Sequence, residues 1–208
     1  MHRKFSSCSI TTIRSWIKPL SGCFFIFLMA CNSVYTPKPR GYFKIEFPAH
    51  QYRSFNKPSF PYSFEFPDYA EVIQDTSFFD AKPPNPYWVN INFPRFHARI
   101  YMSYYPVGAM TFEKLREDAY KMSYKHSLKA TSIEDSAMKT PLGVSGIFFN
   151  VGGNAATAKQ FFVTDSLRHF LRGALYFDAT PNEDSLGIVN NFLQEDMRHL
   201  INTFRWNN

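Results

Sequence analysis

Side chains able to do chemistry are sparse in this 208-residue chain, and their spacing fits few reactions. Its three cysteines are Cys8, Cys23 and Cys31, so residues 32–208 have no thiol for a disulfide or a cysteine-based zinc site. His50, His97, His126, His169 and His199 have no second His or Glu at metal-ligand spacing, so no metal and no other cofactor is expected. His126 falls near the end of an apolar helical stripe, where a packed or capping imidazole is expected. Gly143-Val144-Ser145-Gly146 stops one residue short of a nucleophile elbow and lies in a strand-like stretch, so Ser145 is not expected to be catalytic. Glu195 and Asp196 are adjacent on a helix, point in different directions, and read as a solvated face. Gly152-Gly153-Asn154 could form a small anion nest, but a hairpin turn accounts for it more simply. With no HExxH, Walker A, GxSxG, CxxC or EF-hand pattern, the expectation is that the chain is not an enzyme.

Residues 160–177 (QFFVTDSLRHFLRGALYF) hold more interest. Two strands flank a tight turn, with Arg168 and Arg172 on one strand face and His169 on the other. Arginine beside aromatic rings is the usual composition of a protein-interface hot spot. These three residues are candidate partner contacts, and ordinary decoration of a sheet edge is the competing explanation.

Cys31 has the clearest chemistry. Residues 1–19 are basic and acid-free, and residues 20–30 (LSGCFFIFLMA) form an apolar run. As a helix that run rises roughly 16 Å, about half the hydrocarbon core of a bilayer, which suits a signal peptide better than a membrane span. It ends in Leu28-Met29-Ala30-Cys31, which resembles the lipobox of bacterial lipoproteins. The resemblance implies cleavage before Cys31 and acylation of its thiol and new amine. A small residue at position 30 gives the peptidase access to the bond. Each buried methylene of an acyl chain contributes about 0.8 kcal/mol, so two or three chains hold the protein on a membrane.

Charge follows the same division. Arg3, Lys4, Arg14 and Lys18 account for four of the six net positive charges, leaving a nearly balanced remainder. A nucleic-acid-binding domain would keep its basic patch in the folded part, so no nucleic-acid partner is expected.

The expected domains are a signal peptide over 1–30, a lipidated tether over 31–40 with two prolines, and a single domain over 41–208. Alternation predicts strands over 41–48 and 58–67, a stiff loop over 81–86, and a hairpin of 87–93 with 97–104 around Pro94-Arg95. Three- and four-residue spacing of Phe112, Leu115, Ala119, Met122 and His126 predicts a helix over 111–129, capped by Thr111. Strands over 143–151, 154–164 and 167–178 follow, turning at Gly152-Gly153-Asn154 and Thr164-Asp165-Ser166. A last helix over 185–204 buries Leu186, Val189, Leu193, Met197, Leu200 and Phe204. The class is therefore α+β, a mainly antiparallel sheet covered by two helices. Element order, with Phe64-Glu65-Phe66-Pro67, Leu175-Tyr176-Phe177 and Asn202-Thr203-Phe204, resembles the Mog1/PsbP-like sandwich, an analogy of fold and not of function.

The chain beyond Cys31 resembles the GldD family of gliding-motility-associated lipoproteins of Bacteroidota. The matching residues run from Tyr35-Thr36-Pro37-Lys38-Pro39-Arg40-Gly41-Tyr42-Phe43 through Tyr124-Lys125-His126 and Thr164-Asp165-Ser166 to His169-Phe170-Leu171-Arg172-Gly173 and Pro181-Asn182. The resemblance implies a non-enzymatic accessory role in gliding and type IX secretion, with other envelope lipoproteins as partners. The neutral Asn32-Ser33-Val34-Tyr35 lacks the acidic export signal common on surface lipoproteins of those bacteria, so a periplasm-facing domain is expected. Two other classes stay open. A small-molecule or lipid carrier would need an aromatic-lined pocket of several hundred cubic ångströms, and a hydrolase would need titratable groups converging in a cleft.

Overall fold

The computed structural model describes residues 44–75 and 83–207, and the residues from Lys44 onward form one unit. Cys31, the tether, the start of the first expected strand and the first residues of the 81–86 loop lie outside the described residues.

Among the described residues the strands divide between two antiparallel sheets. The smaller joins β1 (Tyr52–Phe55), β2 (Tyr62–Pro67) and β10 (Arg205–Trp206), with β2 in the middle. The larger holds β3 (Glu71–Gln74), β4 (Val89–Phe93), β5 (Ala98–Pro106), β6 (Ala130–Lys139), β7 (Ser145–Gly153), β8 (Lys159–Thr164) and β9 (His169–Phe177). Its order is β3-β4-β5-β9-β8-β7-β6. Helices α1 (Phe112–Tyr124) and α2 (Glu183–Thr203) complete the α+β class.

Two cores explain why both faces of the large sheet are apolar. Phe161, Val163, Leu171 and Leu175 join α2 and the small sheet in the main core. Phe149, Phe162 and Phe170 meet Leu115 and Ala119 of α1 in a second core. Strand β8 is buried along its whole length, as a strand covered on both faces must be. In the main core Tyr62, Phe64 and Phe204 pack ring on ring, with centroids 5.6–6.4 Å apart. Gly173 is required here, because a Cβ at that position would stand 2.3 Å from the Phe161 ring on the neighbouring strand.

Most expected elements are present, with informative differences. Residues 44–51 form no strand. Among the described residues no strand pairs with them, and they are held by Phe47 stacked 4.3 Å from Phe192 and by Arg95 donating to the Glu46 carbonyl. Helix α1 starts at the Thr111 cap, whose Oγ1 accepts from Lys114 N at 3.3 Å, but ends at Tyr124 and gives way to turns. Its inner face is Leu115, Ala119 and Ser123, while Met122 is 46% exposed. Gly152 and Gly153 end β7 instead of making the turn. Gly153, at φ +88°, sits opposite an irregularity in β6 between Ala130 and Ser132. Strands β1, β3, β6 and β10 had no clear alternation to announce them.

Candidate functional site

The Thr164-Asp165-Ser166 turn is where expected, and Asp165 organises it. One carboxylate oxygen accepts the backbone N–H groups of Leu167, Arg168 and His169 at 3.0, 2.8 and 2.8 Å. Burial pushes the Asp165 carboxyl up, but these donors outweigh it and hold the group below its ordinary range. Arg168 is exposed beside Leu167, which is 78% exposed at the tip. His169 faces the small sheet, with Nδ1 2.8 Å from the Tyr104 hydroxyl and its ring 4.9 Å from Trp206. Burial lowers its pKa, Asp165 opposes that effect, and Arg168 adds to it. Arg172 points to the other face and donates to Gln160 Oε1, beneath α1. The structure thus places His169 and Arg172 on opposite faces, and the three residues do not converge on one patch.

The most densely bonded polar cluster lies elsewhere. Asp196, on the inner side of α2, is 1% exposed. Its Oδ1 lies 2.7 Å from His50 Nδ1 and accepts from Tyr52 OH at 3.1 Å, while Oδ2 accepts from Tyr69 OH. His50 Nε2 lies 3.2 Å from Glu195. His199 packs against Tyr52 at 3.5 Å and lies 2.7 Å from Glu65 Oε2. The solvated helix face expected for Glu195 and Asp196 is correct for Glu195 alone. Asp196 falls between Leu193 and Leu200 on the apolar stripe, and that spacing was the signal available in the sequence. Burial first, then the Asp196 carboxylate, raises the pKa of Tyr52 and Tyr69, so both stay protonated as donors. With its side chain buried and both oxygens occupied, Asp196 offers no face to a substrate. It clasps the segment at His50 to α2 and β1.

The space between the large sheet and α1 holds a cavity of about 110 Å³, bounded by Trp88, Tyr105, Leu115, Phe170 and Arg172. That is below the several hundred cubic ångströms a lipid or drug-sized carrier needs. Burial lowers the pKa of Arg172, offset in part by Tyr176 and Tyr105. Ser145 is exposed at the start of β7, in register with Thr164 and Lys139. Among the described residues no group of three His, Cys, Asp or Glu side chains is placed to hold a metal ion. None of their helices is long and apolar enough to cross a membrane.

Fold and site together define an α+β sandwich of antiparallel sheets and two helices, whose most densely bonded polar cluster is tied up within the fold. The chain belongs to the gliding motility lipoprotein GldD family, whose model matches residues 32–206. It is accordingly an envelope-associated, lipid-anchored protein connected with gliding motility. The fold is similar to the solution structure of cyanobacterial PsbP (CyanoP) from Synechocystis sp. PCC 6803, at 11% identity and a TM-score of 0.45, covering 77% of this chain and 95% of that one. No curated protein matches the sequence.

Proposed function

We propose that this protein is acylated at Cys31 and acts as a non-enzymatic accessory factor of the gliding and type IX secretion machinery. Its domain stands in the periplasm, and other envelope lipoproteins are its partners. The observation that carries this reading is the family match, which begins at residue 32, directly after the proposed lipid-bearing cysteine, and runs to residue 206. The geometry fits a non-catalytic role for the polar cluster, because Asp196, its most buried carboxylate, is saturated by His50, Tyr52 and Tyr69. Of the three proposed partner contacts, Arg168 stands beside the exposed Leu167, while His169 packs on Tyr104 and Trp206 and Arg172 donates to Gln160 beneath α1, so a partner at this turn would meet Arg168 first. The apolar cavity under α1 gives the lipid-carrier reading little room.

The test is a clean deletion complemented by wild-type and Cys31→Ala genes. Wild type is expected to restore gliding, or cargo export in a host that does not glide, and to incorporate labelled palmitate. Cys31→Ala is expected to do neither. Normal gliding and export in the deletion strain would overturn the proposal.

A further inference from the structure

A second cleft, of about 340 Å³, opens between the first turns of α2 and the adjoining ends of β7 and β8. Its size is at the lower end of small-molecule sites. Three independent features of its lining are costly for a protein that binds nothing there.

Lys159 is 6% exposed, and its Nζ donates to the side-chain oxygen of Asn150. A buried ammonium whose hydrogen bond goes to an amide oxygen, with Glu134 and Glu183 acting on it only at longer range, is poorly compensated. Burial and Arg198 lower its pKa, while Glu134 and Glu183 raise it. Asn190, 8% exposed, also lines the cleft, and its Oδ1 has no hydrogen-bond partner. An orphaned buried acceptor of this kind calls for a donor. Gly187 lies inside α2, where glycine costs about 1 kcal/mol relative to alanine. A Cβ there would meet nothing within 4 Å, so packing within the fold does not require the glycine. Gly187 bounds the cleft, and the absence of a side chain there leaves that stretch of its wall bare.

We infer that this cleft binds a small zwitterion of amino-acid to dipeptide size. A carboxylate supplies an anionic acceptor for Lys159 beside the Asn150 amide, and an ammonium or amide N–H supplies the donor for Asn190 Oδ1, with the Glu183 carboxylate also in the lining. No aromatic ring lines the cleft, so a sugar face or a nucleobase has no stacking platform. This inference is independent of the role in gliding or secretion.

The experiment is calorimetric titration of the full-length lipoprotein in detergent micelles with L-alanyl-L-alanine, with its C-terminal amide, and with inorganic phosphate. The dipeptide is expected to bind, and the amide to bind at least about tenfold more weakly. Gly187→Ala should raise the melting temperature through helix propensity and weaken dipeptide binding at least about tenfold, which separates binding from folding. Lys159→Met should abolish binding. Absence of dipeptide binding to the wild type, binding of phosphate in its place, or equal binding by Gly187→Ala would each overturn the inference.

Discussion

A carboxylate buried at the Asp196 position of α2 would be costly if its oxygens were unanswered. His50, Tyr52 and Tyr69 answer them, and all three come from the N-terminal quarter of the described chain. Asp196→Asn replaces an acceptor-only group by one that presents two donors to groups that are themselves donors. A loss of about 3–5 kcal/mol in denaturant-measured stability is expected, together with earlier proteolysis around His50. Glu195→Gln, at a side chain 71% exposed, should cost no more than about 1 kcal/mol. Asp165 gives the pH-dependent case. Its folded pKa is depressed, so its contribution is present above the ordinary value of 3.8 and is lost as pH falls through the lower folded value. In stability measurements from neutral pH to pH 2, Asp165→Asn should be less stable than wild type at neutrality, and the gap should close in acid. The candidate site was only partly legible at this scale. The turn residues announced Asp165, and alternation put His169 and Arg172 on opposite faces. The clasp was missed because its members are 127 to 146 residues apart, a separation that no local pattern records.

Elements were legible where one face is apolar and the other wet. Helix α2 followed from Val189, Leu193, Met197 and Leu200, and α1 from its Thr111 cap. Thr111→Ala should lower stability by about 0.5–2 kcal/mol, read by thermal or denaturant unfolding. Strand β6 was invisible because it is an edge strand whose residues are mostly exposed on both faces, so Ile133 and Met138 fix no period of two. The reverse error at 44–48 arose because alternating Ile45 and Phe47 imply a strand only if a neighbour pairs with it, and Ile45 is 40% exposed. Gly173 shows a constraint set by a neighbour and not by its own segment. Gly173→Ala drives a methyl group into the Phe161 ring, and a loss of about 1–3 kcal/mol is expected on denaturant unfolding.

For the whole molecule, the division between a basic N-terminal segment and a nearly neutral remainder was readable from charge alone. The α+β class was readable from the change of period along the chain. How the sheets divide was not, because β1 and β10 are short strands that meet only through β2. The proposed role is that of an anchored member of an envelope assembly. Crosslinking and affinity purification of the acylated protein from its native envelope, beside a Cys31→Ala control, bears on it without intermediate steps. Recovery of gliding or secretion lipoproteins with the wild type, lost or much reduced in the control, is the predicted result. Recovery of the protein alone, or of the same partners irrespective of Cys31, would contradict it.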